Sequence, residues 1–326
     1  MRDADLFYDY RKGRAAFLDA AGKTGRDTIT RVHPDSVGRD GKPLFLDTVW
    51  LGQRDARKAL LVIGGTNGVD GAFGAFALTG LLQEKGFQAP PDTKIVLLNA
   101  LNPFGYAWSR RVNEANIDLD HNFIDFDHPP ANPAYLKLAG HFDGRFATQP
   151  PLASEEVLEV LARGQYSHPA GLAYGGADIS WSQRMLGDVV REELRQAEEL
   201  VVLDLHTGPG KFGGTALNAP VGGMAARVWS RALSVPDHGS VTAGLSDWCG
   251  AAAASLCIGT VPPEDYLSLI CRDHWLWGQG RPNHPQAEEI AAEMRAAFFP
   301  ADETWRRRAR AVVHSTLAAA LVSLAG

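Results

Sequence analysis

The chain has few cysteines and lacks long apolar runs. Its three cysteines, Cys249, Cys257 and Cys271, are an odd number without the spacing of a zinc knuckle, which argues against a disulfide framework. No window approaches ~18 uninterrupted apolar residues, so no transmembrane helix is predicted. The first residues, MRDADLFYDYRKGR, carry charges where a signal peptide needs an apolar core. We therefore expect a reduced, soluble protein that acts in the cytoplasm and not at a membrane.

An excess of positive charge is also lacking. The formal net charge is −6 and the isoelectric point is about 5.9, so the composition offers no basic surface for nucleic acid. The glycine-rich stretch GGTNG lacks both the lysine of a phosphate loop and the GxGxxG spacing of a dinucleotide site. We expect a small-molecule or peptide-like substrate and no nucleotide cofactor. None of these features predicts the oligomeric state.

Continuous apolar runs that alternate with helical patterns indicate an α/β fold. The run that ends at Gly64-Gly65 and leads into GAFGAFALTGLL is typical of a buried parallel strand followed by a helix. Since no repeat or linker is found, we predict one domain over residues 1–326, with long ordered loops over residues 102–150. The predicted strands are Thr28–His33, Pro43–Leu51, Lys58–Ile63, Lys94–Ala100, Glu199–His206 and Ala251–Ile258, and the predicted helices are 5–22, Phe73–Lys85, Ser154–Arg163, Ser182–Glu198, Met224–Leu233, Pro285–Phe298 and Glu303–Leu324.

Two strand ends carry candidate site residues. Asn67 and Asp70 follow one buried strand at a spacing that lets both side chains face one point, and ligands of open α/β sheets bind beyond such strand ends. In the segment DLHTGPG, His206 ends another buried strand, which is a common position for an imidazole metal ligand. Asp204 lies on the same face of that strand and is placed either to order the loop or to support a ligand from behind without touching the metal. A hydrogen-bonded structural histidine would explain the same pattern.

Several sequence blocks occur in one order along the chain: TNGVDG, ALNPFGYAWSRRVNEANIDLDHNFIDF, YGGADISWSQ, DLHTGPG, LCIGTVPP and HWLWGQG. This order resembles the carboxypeptidase A-like zinc peptidase superfamily, in a bacterial branch described as a domain of unknown function. The resemblance covers nearly the whole chain. It implies a single-domain α/β fold with a mixed, mostly parallel eight-stranded sheet and helices on both faces, and it implies zinc as the cofactor.

The zinc-binding positions of that superfamily are partly exchanged. The first motif of the superfamily is a histidine with a glutamate three residues later, and this chain has Asn67 and Asp70 there. The second motif supplies one more histidine, which is retained as His206. The resemblance therefore leaves His206 and Asp70 as the implied metal ligands. Because a neutral amide is a poor zinc ligand and Asp is shorter than Glu, we expect zinc to bind weakly or not at all.

The positions that contact substrate and activate water are exchanged as well. The asparagine–arginine pair that holds the substrate carboxylate corresponds to Asp120 and His121, and the arginine that polarises the scissile carbonyl is kept as Arg110 or Arg111. Cys257 stands where the superfamily has its catalytic glutamate, just before a Gly-Thr pair. A thiol does not replace a carboxylate as the base that takes a proton from water, so ordinary carboxypeptidase chemistry is expected to be lost.

Three functions remain open. We expect first an enzyme that reuses the pocket for a small amino-acid- or peptide-derived molecule in a specialised pathway, either with a metal that His121 or Cys257 helps to hold or with Cys257 and His206 as nucleophile and base. The second is a non-catalytic pseudopeptidase that binds a carboxylate or a peptide end. The third is a residual metal-dependent amidase or deacylase. The candidate catalytic residues are Cys257, His206, Asp70, His121 and Asp120, and the candidate substrate-binding residues are Asn67, Arg110 and Arg111.

Overall fold

The computed structural model describes residues 3–142, 155–220, 225–229, 232–235, 239–278 and 283–325. A 3-10 helix, Asp3–Tyr8, precedes the first α-helix. The strands are β1 Thr28–Val37, β2 Pro43–Gly52, β3 Lys58–Gly64, β4 Thr93–Asn99, β5 Glu199–Pro209, β6 Thr215–Pro220, β7 Leu233–Val235 and β8 Ala252–Val261. The helices are α1 Tyr10–Lys23, α2 Gly71–Gln83, α3 Pro103–Trp108, α4 Pro133–Phe142, α5 Glu155–Ala162, α6 Trp181–Asp188, α7 Ala225–Val228, α8 Val241–Cys249, α9 Pro263–Gly278, α10 Ala287–Phe298 and α11 Glu303–Ala325.

The eight strands form one mixed sheet in the order β1-β2-β4-β3-β5-β8-β6-β7. The four central strands, β4, β3, β5 and β8, pair in parallel with one another, and β6 pairs in parallel with β7. The remaining pairs, β1 with β2, β2 with β4 and β6 with β8, are antiparallel. The predicted α/β fold with a mixed eight-stranded sheet is therefore confirmed, and its parallel part is concentrated in the centre.

The central strands consist almost entirely of buried residues, which is why they appear as continuous apolar runs in the sequence. Helices cover both faces of the sheet. Phe17 of α1, Phe73 of α2 and Leu317 of α11 pack in one hydrophobic cluster on one face. Leu186 of α6 and Leu245 of α8 pack in a second cluster on the other face. A third cluster joins α4, α5, α9 and α10 to the turn after β3.

Several predicted elements differ from the observed ones. The predicted helix 5–22 is divided at Asp9, whose side chain caps α1, and the predicted helix Ser182–Glu198 ends early because a π-helical segment, Val189–Glu193, follows α6. The sequence predicts loops over residues 102–150, but the described part of this stretch, residues 102–142, contains α3 and α4, and residues 143–150 lie outside the described residues. The helix α9 had no predicted counterpart. Parts of the predicted helices Ser154–Arg163 and Met224–Leu233 lie outside the described residues.

The strand predictions agree more closely with the structure. The run Ala251–Ile258, whose periodicity fits a helix as well as a strand, forms the strand β8, as predicted. In the described part of the chain, no helix combines the length and the apolar character that crossing a membrane requires.

Candidate functional site

Three neighbouring parallel strands bring the candidate residues together. In the sheet, Gly64 of β3 lies opposite Leu205 of β5, and His206 lies opposite Cys257 of β8. The turn after β3 carries Asn67 and Asp70 to the same place. This turn depends on Gly68, which has a φ of 60° and would place a Cβ atom 2.5 Å from the carbonyl oxygen of Arg110.

His206 is held at both ring nitrogens. Its Nδ1 lies 2.9 Å from the side-chain amide nitrogen of Asn67 and 3.3 Å from Oδ2 of Asp70. Its Nε2 lies 3.0 Å from Oδ2 of Asp204. Asp204 is oriented in turn by the hydroxyl of Thr66, which lies 2.9 and 3.0 Å from its two oxygens. The predicted convergence of Asn67, Asp70 and His206 is therefore present, and Asp204 contacts the ring, which corresponds to the second of its two predicted roles.

The pKa values of His206, Asp70 and Asp204 are all raised, so these side chains keep their protons to a higher pH than isolated ones do. Burial opposes protonation of His206, but the charges of Asp204 and Asp120 and the hydrogen bonds to Asp204 and Asp70 outweigh it, so the pKa of His206 lies well above its ordinary value. Burial raises the pKa of Asp70 and of Asp204, and the attraction of His206 offsets this only in part. His206 is therefore an imidazolium at neutral pH, with an N–H donor on each side of the ring.

The protonation of His206 also decides the orientation of the Asn67 amide. An Nδ1–H group would meet the amide nitrogen of Asn67, which is itself a donor. In the same side chain, Oδ1 is buried and has no hydrogen-bond partner among the described residues. Rotating the Asn67 amide by 180° brings its Oδ1 to the Nδ1–H group of His206, so that this oxygen and this N–H group each gain a hydrogen-bond partner. We therefore assign the amide oxygen of Asn67 to the side that faces the charged ring.

Asp120 is the most accessible carboxylate of this group. One of its oxygens, one oxygen of Asp204 and one ring nitrogen of His206 lie within 4.8 Å of one another. The side chain of Asp120 is 22% exposed, and its Oδ2 lies 3.6 Å from Nη2 of Arg111. Arg111 also pairs with Asp118 at 2.9 Å. Burial works against ionisation of Asp118, but Arg111 outweighs it, so the pKa of Asp118 lies below its ordinary value.

Cys257 lies beside His206 without a hydrogen bond to it. Both ring nitrogens already face other side chains, and among the described residues none of the hydrogen bonds joins the thiol to the ring. Burial raises the pKa of Cys257, and the positive charge of His206 counteracts this only in part. The geometry thus places the thiol in the site without activating it as a nucleophile.

Arg110 lies in the same region, but its guanidinium group forms an ion pair with Asp273. Its Nε lies 3.0 Å from Oδ2 of Asp273, and its guanidinium stacks over Trp277 at 4.3 Å from the ring centre. Both members of the ion pair are buried. Neither Arg110 nor Arg111 therefore presents a guanidinium without a carboxylate partner to a substrate.

A cavity of about 390 Å³ adjoins the site. Arg110, Arg111, Asp118 and His121 contribute polar groups to its wall, and the remainder is mostly apolar. His121 is buried, and its Nδ1 has no hydrogen-bond partner among the described residues. The structure thus places His121 in the cavity wall, whereas Asn67, Asp70 and His206 form the adjoining cluster.

The ordinary zinc centre of the superfamily does not fit these residues. The site offers one imidazole in place of two, and the Asn67 amide carries no charge to offset that of a zinc ion. An ion on the Nδ1 side of His206 would have to displace that amide, with Asp70 as its anionic ligand. Among the described residues, the group with suitable donor types and spacing is instead Asp120, Asp204 and His206. This group differs from the predicted pair His206 and Asp70.

The sequence-based prediction missed several residues that shape the site. Asp118 and Asp273 neutralise the two arginines, and Tyr266 of α9 lines the cavity. Thr66 was overlooked although it adjoins Asn67 in the sequence. A buried arginine requires a buried carboxylate, but the chain offers many aspartates and no local signal identifies the partner.

Solved structures of several proteins align with this chain. Carboxypeptidase A from Helicoverpa armigera is 12% identical over 89% of this chain and 73% of that chain, with a TM-score of 0.46. Succinylglutamate desuccinylase from Chromobacterium violaceum is 15% identical over 88% of this chain and 74% of that chain, with a TM-score of 0.39. Bovine thrombin-activatable fibrinolysis inhibitor is 12% identical over 97% of both chains, with a TM-score of 0.44.

At such identities and TM-scores these likenesses carry no argument about activity. No curated protein matches the chain. A family model, described as "Protein of unknown function (DUF2817)", matches residues 7–312. The match agrees with the branch of unknown function that the order of the sequence blocks predicted. Since it spans most of the sequence, the chain belongs to this DUF2817 family.

Proposed function

We propose that this chain is an enzyme that transfers protons on a small amino-acid- or peptide-derived molecule, without ordinary zinc carboxypeptidase chemistry. The observation that supports this most directly is the buried cluster of Asp70, Asp204 and His206, whose pKa values are raised, together with Asp120, which lies between this cluster and Arg111 of the cavity wall. Ionisable groups with displaced pKa values that converge next to a cavity are typical of catalytic sites.

In this proposal some residues transfer the proton, and others hold these residues in position. Asp120 is partly exposed, so its carboxylate is the group that takes a proton from, or gives one to, the bound molecule. Asp204 and His206 lie close enough to Asp120 for the proton to pass through one water molecule. Asp70 and Asn67 hold the other side of the ring, and Arg111 orients Asp120.

The thiol of Cys257 is not assigned a step. Its raised pKa keeps it protonated at neutral pH, and it lacks a hydrogen bond to His206. We therefore expect Cys257→Ala to retain activity. Such a result would separate the proton relay from the alternative in which Cys257 and His206 act as nucleophile and base.

A panel assay tests the proposal. Purified protein in excess chelator is incubated with amino-acid amides, N-acyl amino acids, dipeptides and small amines, and conversion is followed by mass spectrometry. We expect conversion of at least one compound, reduced about a hundredfold or more in Asp120→Asn, as is typical for loss of a general acid or base. Asp125→Asn removes an exposed carboxylate outside the cluster and is the matched control. Binding without conversion in the whole panel would contradict the enzyme and support the pseudopeptidase.

A metal-dependent amidase or deacylase is the second candidate, because Asp120, Asp204 and His206 have donor types that bind divalent ions. An ion held there would act as a Lewis acid on a carbonyl group. Elemental mass spectrometry of protein purified without affinity nickel, compared with His206→Ala, distinguishes the candidates. About one metal ion per chain that is lost in the variant, together with inhibition by chelator, would establish the second candidate in place of the first.

A further inference from the structure

The charged groups of the cavity wall pair with one another. Nε of Arg110 lies 3.0 Å from Oδ2 of Asp273. Nε of Arg111 lies 2.9 Å from Oδ2 of Asp118. Apart from two histidines, these four are the charged residues among the described ones that line the cavity. A charged ligand would have to compete with one member of a buried pair for the other, which is costly, so the wall favours an uncharged ligand.

One face of α9 supplies two polar groups that lack such partners. Tyr266, Ile270 and His274 follow one another at intervals of four residues, and all three line the cavity. Tyr266 is 8% exposed and His274 is 9% exposed, so both side chains are about nine-tenths buried. No hydrogen bond among the described residues engages the hydroxyl of Tyr266. Buried polar groups normally have a partner, so this helix face has unused hydrogen-bonding capacity.

His274 presents a hydrogen-bond acceptor to the cavity. One of its ring nitrogens donates to the backbone carbonyl of Ala170. Burial and the positive charge of Arg110 lower the pKa of His274 to about 4, so the ring is neutral at neutral pH. A neutral imidazole has a single N–H group, so its second nitrogen is an acceptor. Unlike Nδ1 of His121, this nitrogen is not enclosed by the described residues, and the cavity is the space that it faces.

The segment 171–173 forms another part of the cavity wall and is held under strain. Ala173 has a φ of 53°, a left-handed conformation that is unfavourable for a residue other than glycine. The backbone N–H of Gln165 donates to the carbonyl of Ala173, and its side-chain amide donates to the carbonyl of Leu172. The side-chain amide of Asn116 donates to the carbonyl of Gly171. Backbone strain that several hydrogen bonds maintain is typical of binding sites, so this wall is preorganised.

The rest of the cavity wall is mostly apolar. A ligand that fills the cavity therefore needs an apolar body in addition to its polar groups. The aliphatic side chains of this wall include Leu158, Leu161, Leu172 and Ile270.

We propose that the cavity binds an uncharged amino-acid derivative, capped at both ends, whose apolar side chain packs against this wall and whose amide N–H donates to the free ring nitrogen of His274. The hydroxyl of Tyr266 is then available as a donor to a carbonyl group of the same ligand. A free carboxylate or ammonium group would find only paired charges in the wall. The amino-acid origin of the ligand rests on the proposed function, whereas its lack of charge follows from the cavity wall.

Calorimetric titration in excess chelator tests the ligand class with three compounds that share a leucine side chain. At pH 6.5, N-acetyl-leucinamide is uncharged, N-acetyl-leucine is an anion and leucinamide is mostly a cation. We expect N-acetyl-leucinamide to bind at least about tenfold more tightly than the other two, which corresponds to ~1.4 kcal/mol. This comparison uses the unmodified chain and depends on no variant.

Variants of His274 test the hydrogen bond. His274→Leu removes the acceptor and keeps the position apolar, and we expect it to weaken binding of N-acetyl-leucinamide by about tenfold. His274→Gln should restore most of the affinity, because its amide oxygen accepts a hydrogen bond. His128→Leu, at an exposed histidine outside the cavity wall, should bind as the unmodified chain does. Circular dichroism confirms that each variant is folded.

Tighter binding of N-acetyl-leucine or leucinamide, equal binding of all three compounds, or no binding of N-acetyl-leucinamide would overturn the proposal. Unchanged binding in folded His274→Leu would do so as well. Binding of N-acetyl-leucinamide without conversion of it or of any compound in the panel assay would leave this inference standing and contradict the proposed enzyme. Conversion of a charged compound without binding of N-acetyl-leucinamide would refute only the inference.

Discussion

His274 lies in the cavity wall, close to Arg110. Burial, reinforced by the positive charge of Arg110, lowers the pKa of His274 from 6.5 to about 4. The folded chain therefore keeps this ring neutral at pH values where the unfolded chain protonates it. Stability from this residue is complete above pH 6.5 and decreases as the pH falls toward 4, because the unfolded state binds the additional proton.

Replacing His274 should make the unfolding free energy less dependent on pH between 6.5 and 4. We expect the difference in unfolding free energy between the unmodified chain and His274→Gln to change by about 3 kcal/mol between pH 6.5 and 4, in favour of the variant at the lower pH. Urea unfolding at several pH values measures the difference. His128→Gln, at an exposed histidine, is the control. Parallel curves for the unmodified chain and His274→Gln would contradict the prediction.

At the level of single residues, the sequence predicted which side chains of the candidate site converge better than how their charges balance. Asn67, Asp70 and His206 were found because each follows or ends a buried strand. The neutralisation of Arg110 was missed because Asp273 lies 163 positions further along the chain. Only the folded chain shows which carboxylates approach each arginine.

The next larger feature is the contact between β3 and α2, which positions Asn67 and Asp70. A Cβ atom at Gly74 would lie 2.9 Å from Cα of Gly64 and 3.0 Å from the backbone nitrogen of Gly65. These neighbours are backbone atoms and cannot rotate away. The glycines therefore allow the helix to begin directly above the strand end.

Gly74→Ala should force α2 away from β3. We expect a loss of ~1–3 kcal/mol in unfolding free energy, as for other over-packed cores, together with slower conversion in the panel assay because the turn with Asn67 and Asp70 moves. Chemical unfolding and the panel assay measure the two effects. Gly22→Ala, at a helical glycine with open space around it, should instead be neutral or stabilise by up to about 1 kcal/mol. Equal stability of the two variants would refute the argument.

At the level of elements, the buried strands were predictable because an apolar run of this length, bounded by glycine or proline, fits a central strand. The short helix α3 was not. It begins at Pro103 with Asn102 as its cap, inside a stretch whose Pro, Asp and Asn content resembles a loop. Local composition does not distinguish one capped helical turn from an ordered loop.

At the scale of the whole molecule, the two ends of the described chain are joined. The Arg306 side chain donates hydrogen bonds to Asp5, to the hydroxyl of Tyr8 and to the carbonyl of Pro300, and it stacks on Phe299. The hydroxyl of Tyr8 donates to the carbonyl of Phe299. The N-terminal segment is thereby fixed against the start of α11.

We expect one cooperative unfolding transition, as the prediction of a single domain requires, with coincident curves from tryptophan fluorescence and circular dichroism. Arg306→Ala should lower the unfolding free energy by ~2–3 kcal/mol, because it leaves the buried carbonyl of Pro300 and the partly buried Asp5 carboxylate without this donor and removes the stacking on Phe299. Arg308→Ala, at an exposed position of the same helix, should change it by less than ~0.5 kcal/mol. Two separate transitions would contradict the single domain.

The parallel registers of β3, β5 and β8 rest on backbone hydrogen bonds and apolar side chains, whereas the polar cluster comes from the C-terminal half of β5, the turn after β3 and the 3-10 helix Leu119–His121. A heritable exchange at position 67, 70 or 257 therefore changes the available chemistry without a compensating change in the sheet. Over generations, selection for folding and selection for activity then act on different residues. A lineage with this architecture can inherit its scaffold unchanged while its reaction diverges.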